Sequence, residues 1–226
     1  MEELTNVAQL HYQLFGLNLT FNTTYILMAW VVMAVLILFS YLATKKASLI
    51  PHPVQVAAEL LVNLFYNLVV ETLDEKLAKK YFPLICSLFM FLLLCNWIGV
   101  IPMMAEPTRD LNTTLGMGIL GGIISHYSGI RAHGIKGYLK EYCSPMWFMA
   151  PLNVIGELAQ VVSISFRLYG NILGGAIIII VVSQLPFVKS IILPPFLVMF
   201  FGMFVGSIQA FVFTMLTLVY ISLKVK

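Results

Sequence analysis

The feature that most limits how this chain can fold is a series of long apolar runs, the last two of which cover 146–183 and 191–223. Hydrophobic residues make up 60% of the chain and charged residues 10%, whereas a soluble domain carries about 25% charged residues. A soluble fold of 226 residues cannot bury so much apolar surface, so lipid must cover much of it. Because the runs are continuous and do not alternate as barrel strands do, the sequence predicts an all-α integral membrane protein.

The runs predict a single membrane domain with five crossing helices and one amphipathic helix. We expect 1–24 to be an external N-terminal segment, and not a signal peptide, because Glu2 and Glu3 stand where a basic start would be needed. The crossing helices are expected at 25–43, 82–101, 111–130, 146–183 and 191–223. In 54–73 a polar residue recurs every fourth position, which favours an amphipathic helix lying at the interface over a sixth crossing helix.

The positive charges predict the orientation of the chain. With this topology, Arg109 and Lys189 fall on one side, Arg167 falls within a span, and ten of the 13 Lys and Arg residues fall on the other side. Those ten are Lys45, Lys46, Lys76, Lys79, Lys80, Arg131, Lys136, Lys140, Lys224 and Lys226. Since Lys and Arg are enriched in cytoplasmic segments, we expect the N-terminus outside, the C-terminus in the cytoplasm and 54–73 on the cytoplasmic side. A basic loop is expected around Arg131, Lys136 and Lys140.

The last two runs are too long to cross a bilayer upright. A helix over 146–183 would be about 55 Å long at about 1.5 Å per residue, and the hydrocarbon core is about 30 Å thick. We therefore expect two steeply tilted helices that form an antiparallel hairpin. Gly170, Gly174 and Gly175 offer a place where the first of them could kink.

Arg167 is a permanent charge in the first of these two helices. Its cost at the centre of a bilayer is at least about 2.5–3.5 kcal/mol, so a functional site is the first hypothesis. It belongs to a polar stripe whose members fall within an arc of about 120° on a helix. The members of the stripe are Asn153, Glu157, Gln160, Ser163, Arg167 and Asn171.

The roles of the stripe residues differ. Asn153, Gln160 and Ser163 could equally well form hydrogen bonds to neighbouring helices. Glu157 and Arg167 lie about 15 Å apart along the helix axis, too far for a direct ion pair. We interpret them as two unpaired intramembrane charges, which indicates an ion route.

The last helix carries a matching face. Gly202, Gly206 and Gln209 lie on one side of it, where the glycines allow close packing and Gln209 could support the Arg167 guanidinium.

Cysteine and histidine give no sign of a metal site or a cofactor. Cys86, Cys95 and Cys143 are predicted to be unpaired. The histidines show no paired spacing within a span; they are His11, His52, His126 and His133.

Four motifs, in order along the chain, resemble those of F-type ATP synthase subunit a, the ion-translocating stator subunit of a rotary membrane motor. Their sequences are Phe82-Pro83 with NWIGVIP at 96–102, PTRDLNTT at 107–114, SISFRLYGN at 163–171 and IQAFVFTMLTLVY at 208–220. The resemblance covers nearly the whole chain beyond about residue 20.

The resemblance implies a set of partners and a mechanism. The partners would be a ring of c subunits that carry carboxylates in mid-membrane, the b subunits of the peripheral stalk and the remaining ATP synthase subunits. Arg167 would match the essential arginine of the family and would separate two offset aqueous half-channels. Protons or sodium ions would cross by way of the ring, and its rotation would drive ATP synthesis. The chain itself would hold no catalytic site, cofactor or nucleic acid, and it would lie in a bacterial plasma membrane.

The chain departs from the family on the outer side of the membrane. Some members carry an acid at the position of Ala176, and some a histidine or an acid at that of Gly202. Another form of the family carries an acid at the position of Glu157. We therefore expect Glu157 to serve the outer half-channel, with polar lining from Asn112, Asn153 and Asn171.

Two other functions fit a membrane protein of this size. An ion-coupled transporter could use Arg167 to bind an anion, but such proteins commonly show repeats and paired broken helices, and neither is clear in this sequence. A structural subunit of a respiratory complex would more often carry paired histidine ligands.

Overall fold

The structure is a computed structural model that describes residues 9–14, 17–45, 53–101, 104–142, 148–183 and 193–225. Two short strands, β1 (Gln9–Leu14) and β2 (Leu17–Asn22), pair as an antiparallel hairpin. The hairpin was not predicted. Its sequence signal is the alternation of apolar and polar residues over 17–22, a period-2 pattern that favours a strand.

Helices form the rest of the described chain and confirm the predicted all-α membrane class. The first three are α1 (Thr23–Lys45), α2 (Pro53–Leu73) and α3 (Glu75–Trp97). Short 3-10 turns follow at Ile98–Val100 and Pro107–Arg109. The later helices are α4 (Leu111–Tyr142), α5 (Met149–Ser183), α6 (Leu193–Val198) and α7 (Gly206–Val225), and a π-helical segment (Met199–Val205) joins α6 to α7.

The expected basic loop after the third crossing helix is wrong. The chain stays helical as far as Tyr142, with a break at Gly134, whose φ of 71° and ψ of 162° suit a residue without a Cβ. The Tyr138 hydroxyl lies 2.6 Å from His126 Nδ1, so the second part of α4 folds back on the first. Arg131 and Lys136 therefore lie on exposed helical turns.

Five described helices are long and apolar enough to cross a membrane, the number that the sequence predicts. They are Thr23–Lys45, Gln55–Leu73, Glu75–Val100, Ala150–Ser183 and Leu193–Val225. The set differs from the predicted one, because α2 reaches this level of hydropathy and α4, with its glycines and polar residues, does not. The crossing by α4 and the interfacial position of α2 stay predictions.

Helix α2 packs against the bundle through its C-terminal half alone. Phe65, Val69 and Leu73 are buried there, and their spacing of four places them on one face. None of the described side chains from 53 to 64 is buried. The described side chains of the N-terminal half of α2 are thus half-buried or exposed, as expected for an interfacial helix.

Helices α3 and α7 form the centre of the bundle. Ile85 and Leu92 of α3 and Phe213, Leu218 and Ile221 of α7 belong to the main buried cluster. Apolar side chains on the outer faces of α1, α4 and α5 are exposed, as expected for surfaces that lipid or other subunits cover.

Helix α5 is one uninterrupted helix of 35 residues and runs antiparallel to α7 and the π-helical segment. Gly175 lies against Phe201, Asn171 is bonded to Gln209, and Glu157 contacts Lys224. These contacts confirm the predicted antiparallel hairpin. At about 1.5 Å per residue α5 is about 52 Å long, and its steep tilt stays a prediction.

Candidate functional site

Arg167 lies on the face of α5 that points away from the rest of the chain. Ile164 and Leu168, on the opposite side of the same turns, are buried. Arg167 itself is exposed, and within the described part of the chain no hydrogen bond or ion pair holds its guanidinium. Its charge is therefore available to a group outside this chain.

The surface around Arg167 is open and consists largely of small or polar residues. An added Cβ at Gly170 or Gly174 would meet nothing within 4 Å. We define the Arg167 face as Gln160, Ser163, Arg167, Gly170 and Gly174. Small residues let another helix approach closely, so this face is shaped for close helix packing.

The polar stripe predicted from the sequence divides along its length. Asn153 and Glu157, at one edge of the arc, are half-buried and face α4 and α7. Gln160, Ser163 and Arg167, on the other edge, are exposed. One stripe therefore supplies groups both to the interior of the chain and to its outer surface.

Gln209 contacts Asn171, one turn after Arg167. Asn171 Nδ2 donates to Gln209 Oε1 over 2.9 Å. The expected support of the guanidinium by Gln209 is not seen, because its bond goes to Asn171. Gln209 is only 4% exposed, and its Nε2 has no hydrogen-bond partner among the described residues. A buried amide donor without a partner is costly, so this position suits a water molecule or a transient polar group.

A cavity of about 390 Å³ lies at one end of the hairpin, between α4, α5 and α7. Its polar lining consists of Ser125, His126, Asn153, Glu157, Gln160, Thr217, Tyr220 and Lys224. Gly118 and Gly122 of α4 line the cavity and pack closely on α5, where Gly118 lies against Ser165 and Gly122 against Val161. The cavity is open and is large enough for several waters.

Glu157 is paired, which corrects our interpretation of it as an unpaired charge. Lys224 Nζ donates to Glu157 Oε1, and His126 Nε2 lies 3.3 Å from Glu157 Oε2. Sequence reasoning compared Glu157 only with charges on its own helix. Lys224 is 67 residues away and meets it because α5 and α7 are antiparallel.

The contact with Lys224 also bears on the role predicted for Glu157. Lys224 is one of the positive residues that predict the cytoplasmic side. An outer position for Glu157 is thus incompatible with the predicted topology, since both residues lie at the same end of the hairpin. Asn153 lies at this end too, whereas Asn112 lies at the opposite end, where its backbone N–H and Nδ2 donate to Asp110 Oδ1.

A second polar region occupies that opposite end, where α3, the loop after it and the π-helical segment meet. Asn96 is fully buried; its Nδ2 donates to Gly206 O over 2.8 Å, and its Oδ1 accepts from Thr108 Oγ1 over 2.7 Å. An added Cβ at Gly206 would lie 2.8 Å from Asn96 Cβ, so glycine is needed for this approach.

Glu106 is the residue in this region that sequence reasoning missed. Its side chain lies directly against Gly99, and a Cβ added at Gly202 would lie 4.0 Å from its Oε1. Burial raises the pKa of Glu106 to about 7, and the nearby positive charge of Arg109 opposes part of this increase. The one signal in the sequence was an acid directly before Pro107, in a loop that follows a crossing helix.

The described residues include two of the three cysteines. Cys86 and Cys95 are not in disulfides, and Cys143 lies outside the described residues. Within the described ranges, no three His, Cys, Asp or Glu side chains are grouped as metal ligands.

Comparison with known proteins relates this geometry to a family. The family model described as the ATP synthase A chain matches residues 26–222. The chain belongs to this family. The subunit a of the ATP synthase of Moorella thermoacetica is 39% identical to it over 194 residues, which cover 85% of this chain and 86% of that protein. ATP synthase subunit a 1 of Pelobacter propionicus is 40% identical over 197 residues, covering 85% and 83%. Subunit a of Desulforamulus reducens is 33% identical over 217 residues, covering 94% and 82%.

Membership in the A-chain family agrees with the helices described above. With five helices able to cross a bilayer and bacterial relatives at this level of identity, the chain is a multi-pass protein of a bacterial membrane. Of the residues singled out from the sequence, the structure brings Asn171 together with Gln209, leaves Arg167 and Ser163 on the open face, and separates Asn112 from Asn153 and Glu157.

Proposed function

We propose that this A-chain family member, a membrane-sector subunit of an F-type ATP synthase, is the ion-translocating stator subunit of the motor. Two offset half-channels lead to carboxylates on a ring of c subunits, and Arg167 separates them. Ion flow, with protons as the coupling ion, turns the ring and drives ATP synthesis. The observation that carries the proposal is an exposed Arg167 on an open face of small residues, with one polar region at each end of the hairpin.

The charge of Arg167 suits this role physically. A guanidinium keeps its proton at any physiological pH, unlike a buried lysine. Facing the ring, it stabilises an ionised carboxylate there. A carboxylate that leaves Arg167 for lipid must first be neutralised by an ion, because an uncompensated charge in hydrocarbon is very costly. The guanidinium also repels a cation that would cross directly from one half-channel to the other.

The cytoplasmic half-channel is the cavity that contains Glu157. Under the predicted topology, α5 enters the membrane from the cytoplasm, so its N-terminal turns lie near that side. The cavity opens there between α4, α5 and α7, and its polar lining includes Glu157, Asn153 and Gln160. Glu157 is thus assigned to the inner path, and the outer path needs other groups.

The outer half-channel runs through the region of Asn96, Gln209 and Asn171. Gln209 Nε2, which has no hydrogen-bond partner among the described residues, belongs to a side chain that bonds to Asn171, one helical turn from Arg167. The Gln209 and Asn171 side chains thus form a polar site close to Arg167, on the side away from Glu157. An ion released from the ring, or passed to it, would cross this position, and Ser163 and the glycines of the Arg167 face would lie along the ring.

The same proposal gives the partners and the placement of the chain. The c-ring packs on the Arg167 face, and the b subunits of the peripheral stalk and other subunits cover part of the exposed apolar surface. The N-terminus lies outside and the C-terminus in the cytoplasm of a bacterial plasma membrane. Helix α2 lies in the cytoplasmic interface, and α5 and α7 are steeply tilted beside the ring.

Arg167→Ala tests the proposed function in the whole complex. We expect the complex to assemble and ATP-driven pumping in inverted membrane vesicles to be lost. Arg131→Ala is the matched control, because Arg131 is an exposed arginine on α4 and is not part of the Arg167 face, and it should pump normally. Measurements with and without sodium identify the ion. Normal coupled pumping by the Arg167→Ala complex would overturn the proposal.

A further inference from the structure

The outer half-channel lacks an obvious titratable group on α5 and α7. The two positions at which the resemblance would allow one hold Ala176 and Gly202. Glu157, the acid that we expected to replace them, lies at the other end of the hairpin beside Lys224. If the proposed function is correct, protons still need a group through which to pass between the outer solution and Gln209.

We propose that Glu106 is the proton-exchanging group of the outer half-channel, and that its side chain, which fills the space beside Gly99, holds the carboxyl group next to Gly202. This inference rests on the proposed function. Glu106 belongs to the loop between α3 and α4, at the end of the hairpin opposite Glu157. Its Oε1 would lie 4.0 Å from a Cβ at Gly202, so the loop brings a carboxyl group into contact distance of that position.

The surroundings of Glu106 are arranged around its side chain. Glycine at 99 is what allows the side chain to lie there, because an added methyl group would overlap it. Position 202 is equally restricted, since a Cβ there would lie 2.9 Å from Val100 Cγ2. Gly202 also lies in the π-helical segment, a local irregularity that is frequent at functional sites.

A structural role does not account for the carboxyl group of Glu106. The residue precedes the 3-10 turn Pro107–Arg109, but its side chain makes no capping hydrogen bond. Within the described part of the chain its carboxyl group forms no hydrogen bond or ion pair. A partly buried carboxyl group without such partners lowers stability, so a function is the better explanation for its presence.

The electrostatic surroundings set the proton affinity near neutrality. Burial raises the pKa of Glu106 to about 7, and Arg109 opposes this. Tyr25 of α1 lies within electrostatic reach of Glu106, Arg109, Asp110 and Tyr169. The 3-10 turn after α3 and the π-helical segment face Glu106 with Gly99 and Gly202, neither of which titrates. A carboxyl group whose pKa is raised to about 7 suits both uptake and release of a proton at neutral pH.

Further along the same side of the chain, inward from Glu106, lie the polar side chains of Asn96, Gln209 and Asn171. Gly202, Gly206 and Gln209 follow one side of the chain over seven residues, and Asn96 lies against Gly206. Gln209 in turn contacts Asn171. In each cycle the Glu106 carboxylate takes a proton from water on the outer side of the membrane and releases it to water on the side of Gln209. The carboxylate thereby returns to its starting state, and no electrons are transferred.

Glu106→Gln in the complete complex is the first test. Proton conduction is measured in vesicles from which the soluble head has been stripped, at pH values from 5.5 to 8.5. We expect conduction at pH 7 to fall about a hundredfold, the low end of what a positioned proton-transfer group contributes. The change in wild-type conduction with a midpoint near pH 7 should disappear in the variant. Glu71→Gln, which removes an exposed acid on α2, is the matched control and should conduct normally.

A second pair of variants tests the position of the carboxyl group, and decides the matter if Glu106→Gln fails to assemble. Gly99→Ala keeps the acid but displaces it, so we expect slower conduction with the complex intact. Glu106→Asp keeps a carboxyl group at the same position of the loop and should retain part of the conduction that Glu106→Gln loses. Wild-type conduction and pH dependence in Glu106→Gln, or in Gly99→Ala, would overturn the inference.

The two proposals fail in different ways. If Arg167→Ala abolishes pumping while Glu106→Gln conducts as the wild type does, Glu106 is not the exchanging group and the proposed function stands. If the Arg167→Ala complex pumps normally, the proposed function itself fails.

Discussion

The pair formed by Glu157 and Lys224 allows a prediction that separates structure from transport. The perturbations are Glu157→Gln, Lys224→Gln and the double variant. The two side chains are 18% and 21% exposed, so the pair is largely but not fully buried. Removing one partner of a buried pair costs about 3–5 kcal/mol because the other charge is left uncompensated. With this residual exposure we expect the low end, about 3 kcal/mol, for Lys224→Gln.

The double variant removes both charges and should recover most of that loss. In Lys224→Gln, His126 lies 3.3 Å from Glu157 and still contacts its carboxylate, so part of the negative charge stays compensated. In the double variant there is no carboxylate left for His126 to contact. A loss of about 3 kcal/mol changes an equilibrium by about a hundredfold. This is large enough to see as a lower temperature at which the subunit leaves the complex.

The assay has two readouts, made on the same vesicles. Heating followed by native electrophoresis gives the fraction of complex that retains the subunit, and proton conduction reports the half-channel. We expect the double variant to be retained nearly as the wild type is, yet to conduct as slowly as Glu157→Gln. If the double variant conducts normally, Glu157 is structural. If it is no more stable than Lys224→Gln, the two charges are not coupled.

Two further predictions concern packing at the site. An added Cβ at Gly174 meets nothing within 4 Å, so we expect the chain to accommodate Gly174→Leu. The variant should nevertheless reduce ATP-driven pumping severely if a ring helix packs on the Arg167 face. Gly116→Leu, at an equally open glycine of α4, is its control, and equal pumping by the two would count against that face. Thr108→Val removes the donor to the buried Oδ1 of Asn96 and should lower stability by about 1–3 kcal/mol. Thr108→Val should therefore lower the temperature at which the subunit leaves the complex. Thr113→Val, which breaks no described hydrogen bond, should not lower it. Equal temperatures for the two variants would show that the hydrogen bond to Asn96 contributes little to stability.

The sequence predicts the features of this fold that depend on helical periodicity. The span of α5, the stripe that includes Arg167 and the antiparallel arrangement of α5 and α7 follow from period, length and charge. Helix ends are less predictable. Helix α3 begins at Glu75 and carries three lysines in its first turns, and such a polar run is typical of a connection between helices. The helical turns after Arg131 were missed for the same reason.

Contacts between distant segments were beyond sequence reasoning. Nothing local to Glu157 indicates that Lys224 will lie against it, because that contact depends on the register between two helices. Glu106 was missed because a loop acid normally lies in water, where its pKa is ordinary. Its significance comes from two glycines, Gly99 and Gly202, that are 103 residues apart in the sequence and adjacent in the fold.

The width of the polar stripe explains how one helix can serve both half-channels and the ring. A helix that packs on one side only has an inner edge, an outer edge and an exposed face. The polar stripe of α5 covers an arc of about 120°, which is wide enough to reach from the exposed face of the helix onto the side that packs against the chain. Glu157 and Asn171 therefore lie toward the chain, near the two polar regions, while Arg167 between them projects outward. In the proposed mechanism, an ion that follows either region toward the middle of α5 arrives beside the guanidinium but cannot pass it, so the carboxylates of the ring would provide the path from one side to the other.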